Sequence, residues 1–396
     1  MAGSANQRER GPDALMARVM ARHHLAERTR DGDVVTVVRD LVGLHATSAT
    51  TPYLSLLARM DDFAKEHLER ELYEKRTLVK VRCMRTTVFV LPSEWLGLAF
   101  AATHGNSERM SQRYLQAYSE LAADYARLSE AVLEVVGDGS KTVAEIRATL
   151  GVEGNLSSVV NLMCDQWLLV RDRPAHGWRD SAHRYGRLER VYPGVDLQMD
   201  EASATAEIVR RYLHAYGPVS ETDVAWWTGL TKARVRAAIA LLRPEIAVLD
   251  EGLMLAEDAA ATRELAGEPP ADRRARSVVA LLPQLDPFVM GYKDRSRFLA
   301  AVDEPFVFDR SGNASSTILV DGRICGVWDA PRGKTPEVRL FAFRGLRADV
   351  RAAIEAEAVR VGLFVLECDP DVVWMRSMVP LREREAGAVM KPLARS

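Results

Sequence analysis

The residues best suited to chemistry lie in GLHATSATTPYLSLLARM, from Gly43 to Met60. Two apolar runs there flank a polar island of His45, Thr47, Ser48, Thr50 and Thr51. A neutral imidazole accepts a proton from water, and its ordinary pKa lies near neutral pH. A threonine hydroxyl can hydrogen-bond the same water or a phosphate oxygen. The same residues also suit an ordinary turn. A histidine at a helix C-terminus meets the last carbonyls and the helix dipole, and serine and threonine favour turns. Asp286, in QLDPF, either fixes a turn before its proline or acts as a catalytic carboxylate.

Other reaction classes lack their signals. There is no glycine-rich phosphate loop, no HExxH and no GxSxG. Cys83, Cys164, Cys325 and Cys368 are far apart and form no CxxC pair or His/Cys cluster. The expectation is therefore no metal site, no disulfide framework and no cofactor.

A chain of 396 residues has room for two to four domains. With 47% hydrophobic and 27% charged residues it has an ordinary globular composition. No apolar run approaches the roughly 18 residues needed to span a bilayer. MAGSANQRERGPD has no apolar core, so it reads as a short disordered leader and not a secretory signal. A cytoplasmic protein is expected. The net charge of −2 argues against a chain coated in nucleic acid but permits one local basic face. KRTLVKVRCMR, Lys75 to Arg85, carries five basic residues and no acidic one. It suits such a face, or a solvated strand edge.

Three stretches repeat one order, helices and then a hairpin. In the clearest, ATAEIVRRYLHAY is an amphipathic helix broken at Gly217-Pro218. Ser220 caps ETDVAWWTG, which Gly229 closes, and Thr231 caps KARVRAAIALLRP. EIAVLDEGLMLAED then folds as two strands around Asp-Glu-Gly. Three helices and a hairpin make a winged helix, a helix-turn-helix variant whose third helix often enters the major groove. Lys232 and Arg236 share a face of that helix.

The second copy comprises YARLSEAVLEVVGDG, TVAEIRATLG, LSSVVNLMCDQWLLV and a strand pair. The first comprises PDALMARVMARHHLAER, VVTVVRDLVGL, a helix starting at Thr51-Pro52, AKEHLERELYEKR and the hairpin LVKVRCM–TTVFVLP. In this reading the polar island is the turn between two helices of the first unit. From Arg276 onward strands with Asp/Gly turns and one long helix make a mostly β domain, read as a small barrel. Its APRGKTP loop carries Arg332 and Lys334. The expected fold is α+β: tandem winged-helix domains at 12–124, 125–198 and 203–268, then a β-rich, barrel-like domain at 275–390.

The order of pieces resembles the winged-helix DNA glycosylases typified by AlkZ, which confers azinomycin resistance, and the crosslink glycosylase YcaQ. The resemblance rests on RDLVGLHATSATTPYLSLLARM, LVKVRCMRTTVFVLP, RRYLHAYGPVSETDVAWWTGL, LLPQLDPFVMGYKDRSRFL and VDGRICGVWD, which together span roughly 15–365. That family's motif is glutamine, an apolar residue, then glutamine or aspartate. It falls on His45-Ala46-Thr47, where the middle residue fits and both flanking residues depart.

The resemblance implies hydrolysis of the N-glycosidic bond of alkylated purines in double-stranded DNA. The expected enzyme is a monomeric, monofunctional glycosylase, nucleoid-associated, serving self-resistance or repair. N7-alkylguanine is cationic and leaves as a neutral base, so a strong general acid is unnecessary. The site has to stabilise a cationic sugar and place a water. His45 and Thr47 are the implied catalytic pair. Ser48, Thr50, Arg82, Arg85, Thr86, Lys293, Arg295, Arg332 and Lys334 are the implied DNA contacts, with Arg85 at the first wing tip foremost. The competing function is a winged-helix DNA-binding protein without catalysis, an adduct sensor or transcription regulator.

Overall fold

The computed structural model describes residues 14–30, 33–267, 277–331, 333 and 335–383. The leader segment MAGSANQRERGPD lies outside the described residues.

The first unit contains α1 (Ala14–Arg22), α2 (Val34–Asp40), β1 (Leu44–His45), α3 (Thr51–Leu57), α4 (Lys65–Tyr73), β2 (Leu78–Arg82) and β3 (Val88–Pro92). The 22-residue helix α5 (Leu96–Ala117) leads away from it. The second has α6 (Ser119–Val136), β4 (Ser140–Thr142), α7 (Val143–Leu150), α8 (Leu156–Asp165), β5 (Leu169–Pro174), β6 (His183–Arg187) and α9 (Leu188–Val191). The third has α10 (Glu201–Tyr216), α11 (Glu221–Thr228), α12 (Lys232–Leu241), β7 (Ile246–Leu249), β8 (Gly252–Leu255) and α13 (Ala256–Gly267).

All three follow the winged-helix order of helix, short strand, two helices, hairpin. The short strand pairs with the second strand of the hairpin each time: β1 with β3, β4 with β6, and Val219 bridging to Leu253 on β8. This corrects the reading of the polar island at His45 alone, which joins a strand, while Thr47–Thr50 stay in the turn that leads into α3. Val42 and Gly43 take left-handed backbone conformations, which end α2 and reverse the chain. Leu44 and His45 then join the sheet opposite Val90 and Phe89. Two residues are too few to show the alternation that marks a strand in sequence.

The last region has β9 (Val279–Leu282), α14 (Glu304–Val307), β10 (Thr317–Val320), β11 (Arg323–Asp329), β12 (Glu337–Ala342), α15 (Ala348–Leu366) and β13 (Asp371–Trp374). Its five strands run in the order β13-β12-β11-β10-β9. The sheet is open, with β9 and β13 as its edges, and does not close into a barrel. The physical reason is α15. β13 pairs parallel with β12, and a parallel return needs a crossover element. That helix lies against β9, β12 and β13, covering the sheet.

The β region and the first unit share a core that includes Val37, Leu56, Leu340 and Ile354. Arg28 pairs with Glu357 at 2.7 Å across the same junction, and Arg360 donates to Leu57 O at 2.9 Å. No helix among the described residues is long and apolar enough to cross a membrane.

Candidate active site and its surroundings

The strand β1 gives its two side chains to opposite faces of the first sheet. Leu44 enters the core formed with α2 and α3. His45 faces the other way and packs on Phe89, with ring centroids 4.3 Å apart. Phe89 in turn meets Trp227 of α11, which continues an aromatic column through Tyr212 and Tyr216. His45 is only 3% exposed. Burial pushes its pKa down to about 3, and the nearby Arg85 charge adds to the shift. The imidazole is therefore neutral throughout the physiological range. It can accept a hydrogen bond but is a weak base toward water.

One residue beyond the ladder, Thr47 is exposed. The ladder runs to Ala46, whose N–H donates to Val88 O at 2.8 Å. His45 and Thr47 thus occupy different surroundings, one inside and one at the surface. The loop after Thr47 is tied to the β region. Gln284 Nε2 donates to Ser48 Oγ at 2.9 Å, and Thr51 Oγ1 donates to Gln284 O at 2.9 Å. Ser48 and Thr50 hydroxyls lie 3.3 Å apart. Thr50 precedes α3 without a side-chain cap bond, while Pro52 sits in the first turn as its fixed φ favours.

Beneath this loop lies the reason it holds its place. Asp286 and Arg59 are both fully buried and paired at 2.7 Å and 2.8 Å. Asp286 also accepts from Ser55 Oγ and from Phe288 N, while Arg59 donates to Ser55 O. The carboxylate thus has four donors and no opening to solvent, so it is a tether and not a reacting group. Of the two roles read for QLDPF, the geometry gives the structural one.

The β2–β3 hairpin tip carries the foremost basic candidate. Arg85 and Thr86 both have left-handed backbone angles. The Arg85 guanidinium lies 4.1 Å from the ring centre of Trp226. Its backbone approaches Gly229 so closely that a Cβ there would sit 2.9 Å from Arg85 Cα. Gly229 also has φ near 75°, so two independent demands select glycine. Burial and the neighbouring Arg295 charge lower the Arg85 pKa, a sign that two cations share this place. Thr86 donates to Arg85 O at 2.6 Å.

The remaining candidates differ in how free they are. Arg82 is paired with Asp165 at 2.8 Å. Arg295 is paired with Glu304 at 2.7 Å and lies over Phe308. Lys293 is exposed, with its backbone N–H held by Asp223 and no ion pair among the described residues. Arg332 and Lys334 lie outside the described residues. Arg236 on α12 pairs with Glu221 at 2.9 Å, while Lys232 is exposed. Gln284, Trp226 and Arg59 carried no sequence signal of their own. Their partners are 236, 141 and 227 positions away, from Ser48, Arg85 and Asp286 respectively, and no local pattern reveals such contacts.

One group of metal-type donors exists among the described residues: His214, Glu257 and Asp258, with donor atoms within 4.8 Å. Asp258 already pairs with Arg18 at 2.5 Å and Arg22 at 2.9 Å, and with His214 at 2.9 Å. Two guanidiniums at one carboxylate oppose a cation there.

The model of the AlkZ-like DNA glycosylase family matches residues 38–364. Among solved structures, the Streptomyces sahachiroi DNA glycosylase AlkZ matches with a TM-score of 0.72 at 21% identity, covering 91% of this chain and 98% of that one. No curated protein sequence matches.

Proposed function

This chain belongs to the AlkZ-like DNA glycosylase family, and on that premise we propose that it is a monofunctional enzyme releasing cationic or bulky alkylated purines, N7-guanine adducts above all. It acts on DNA by hydrolysing N-glycosidic bonds. A role in self-resistance or repair follows from such substrates. The observation that carries the site assignment is that Thr47 is exposed two residues beyond β1, whose His45 feels the charge of Arg85 at the hairpin tip.

In this reading Thr47 meets the lesion and orients the attacking water. The leaving base is already cationic, so the site has only to place that water and tolerate charge developing on the sugar. A low pKa makes His45 a poor proton acceptor, so its role is to hold the strand end and accept a hydrogen bond as a neutral ring. Arg85 and Lys293 neutralise phosphates on either side.

Single-turnover release of base from a duplex containing N7-methylguanine tests this. Thr47→Ala should slow release by about 10²-fold, the scale of losing one positioned polar group, with DNA affinity kept. His45→Ala should slow it less than Thr47→Ala. Unchanged release in both variants would remove the pair from the mechanism. Sequence-specific footprinting without any base release would favour a non-catalytic sensor.

A further inference from the structure

From Ala280 to Tyr292 every residue is buried except Gln284. The turn that presents it is held on both sides. Leu285 takes a left-handed backbone conformation, uncommon for a bulky residue, and its N–H donates to Ala314 O at 3.1 Å. Its side chain lies in the core. Asp286 is locked to Ser55 of α3 and to Arg59 just beyond that helix. Thr51 Oγ1, at the start of α3, donates to the Gln284 carbonyl at 2.9 Å. The backbone of Gln284 is thus fixed against the loop that carries Thr47.

The side chain is held as well. Its carboxamide meets the hydroxyl of Ser48, the residue after Thr47, at 2.9 Å. Ser48 Oγ lies 3.3 Å from Thr50 Oγ1, so the hydroxyl that faces the amide is itself oriented. A carboxamide has two N–H donors and an oxygen with two lone pairs. Only one of these positions is used here. The other amide atom makes no hydrogen bond among the described residues and is not enclosed. A hydroxyl both gives and takes a hydrogen bond, so one amide atom stays free whichever of them faces Ser48. A tie between two parts of the fold needs only the end that meets Ser48. An amide held in one orientation, with a donor and an acceptor left open, is prepared to meet a ligand.

We propose that the free edge of Gln284 hydrogen-bonds the modified nucleotide at the Thr47 loop, with Ser48 as the positioning residue that holds the amide. The inference rests on the proposed excision of alkylated purines and adds a contact supplied by the β region, 236 positions from Ser48. An amide suits this place because it carries no charge. It can approach a cationic base without repelling it, and it offers a donor and an acceptor to a purine edge. The hold of Ser48 lowers the rotational freedom lost when that contact forms.

The test measures binding of two duplexes, one with a single N7-methylguanine and one undamaged, together with single-turnover base release. Wild type should prefer the methylated duplex. Gln284→Met keeps the side-chain length and the backbone bond to Thr51 but removes the amide. It should cut that preference about five-fold and slow release at saturation about ten-fold, the scale of one hydrogen bond, with the undamaged duplex bound as before. Ser48→Ala should lower both by less, and the double variant should fall no further than Gln284→Met, because the two residues act as one unit. Gln284→Glu keeps the tie, since the Ser48 hydroxyl can donate to a carboxylate, and puts a negative charge at the free edge. It should raise the preference for the cationic base. No preference in wild type, a preference retained in Gln284→Met, or one unchanged in Gln284→Glu overturns the contact. If wild type releases no base yet prefers the methylated duplex, and Gln284→Met loses that preference, the contact stands and the excision reading fails.

Discussion

The first and third units are built on one plan but use their polar residues differently. In the third, Ser220 and Thr231 accept from backbone N–H groups at the starts of α11 and α12, and Gly229 closes α11 in a left-handed conformation. Their work is local and structural. In the first, Thr50 makes no cap bond, Thr47 faces solvent and Ser48 reaches a glutamine 236 positions away. The short strand is apolar Val219 in the third unit and ends in buried His45 in the first. A helix start whose hydroxyls are not used by its own backbone can tie to distant groups, as Ser48 and Thr51 do to Gln284. The same scaffold thus separates a supporting unit from the one proposed to carry the reaction by which polar groups its own backbone consumes.

The comparison can be broken at four points of decreasing size. The first unit should depend on its long-range tether. Asp286→Ala strands the fully buried Arg59 charge and should lower unfolding free energy by about 3–5 kcal/mol, read from the urea midpoint. Replacing both partners by apolar residues of similar volume should restore much of that loss, because no charge is then left unpaired.

The second effect is acid lability concentrated at buried histidines. His45 and His183 have pKa values lowered to about 3 by burial, and His23 is pushed well below the ordinary value for the same reason. At His45 and His183 the unfolded chain binds protons near pH 6.5 that the folded chain refuses until about pH 3. Stability is thus full above pH 6.5 and falls as the pH drops toward 3, by about 1.4 kcal/mol per pH unit for each such histidine. Unfolding curves of His45→Phe should lose part of this slope between pH 6 and 4. An unaltered slope would show that His45 is not held neutral by its surroundings.

Third, Thr231→Ala removes a working cap and should cost about 1 kcal/mol, whereas Thr50→Ala should cost less than about 0.5 kcal/mol because its side chain caps nothing. Equal costs would erase the contrast between the units. Smallest is the contact joining the two. Trp226→Ala takes away the ring beneath Arg85 and should weaken duplex binding by about 0.5–1 kcal/mol. Salt titrations should keep their slope in this variant but lose about one unit in Arg85→Ala, since only the latter removes the proposed phosphate partner.

The third unit was legible because its signals are short-range. A cap, a closing glycine and an Asp-Glu-Gly turn each act within four residues, and each is where the sequence places it. Repetition of helices and hairpin also shows in the apolar spacing. The first unit hid β1, because two residues held only by Phe89 and Val90 carry no periodic mark. The last region hid its openness, because its strands look alike whether they close a barrel or stop beneath a helix.

The amino-acid sequence by itself determined the winged-helix order, the α+β class and the family, and it singled out His45 and Thr47 by their place in a motif. The tertiary structure alone decided that the two do not share surroundings. Phe89 and the aromatic column beyond it take His45 out of water and hold it neutral. Gln284 and the Arg59–Asp286 pair, brought from over 200 residues away, hold the neighbouring loop at the surface. Burial and long-range charge pairing are sums over the whole fold, so a stretch of 18 residues cannot encode them.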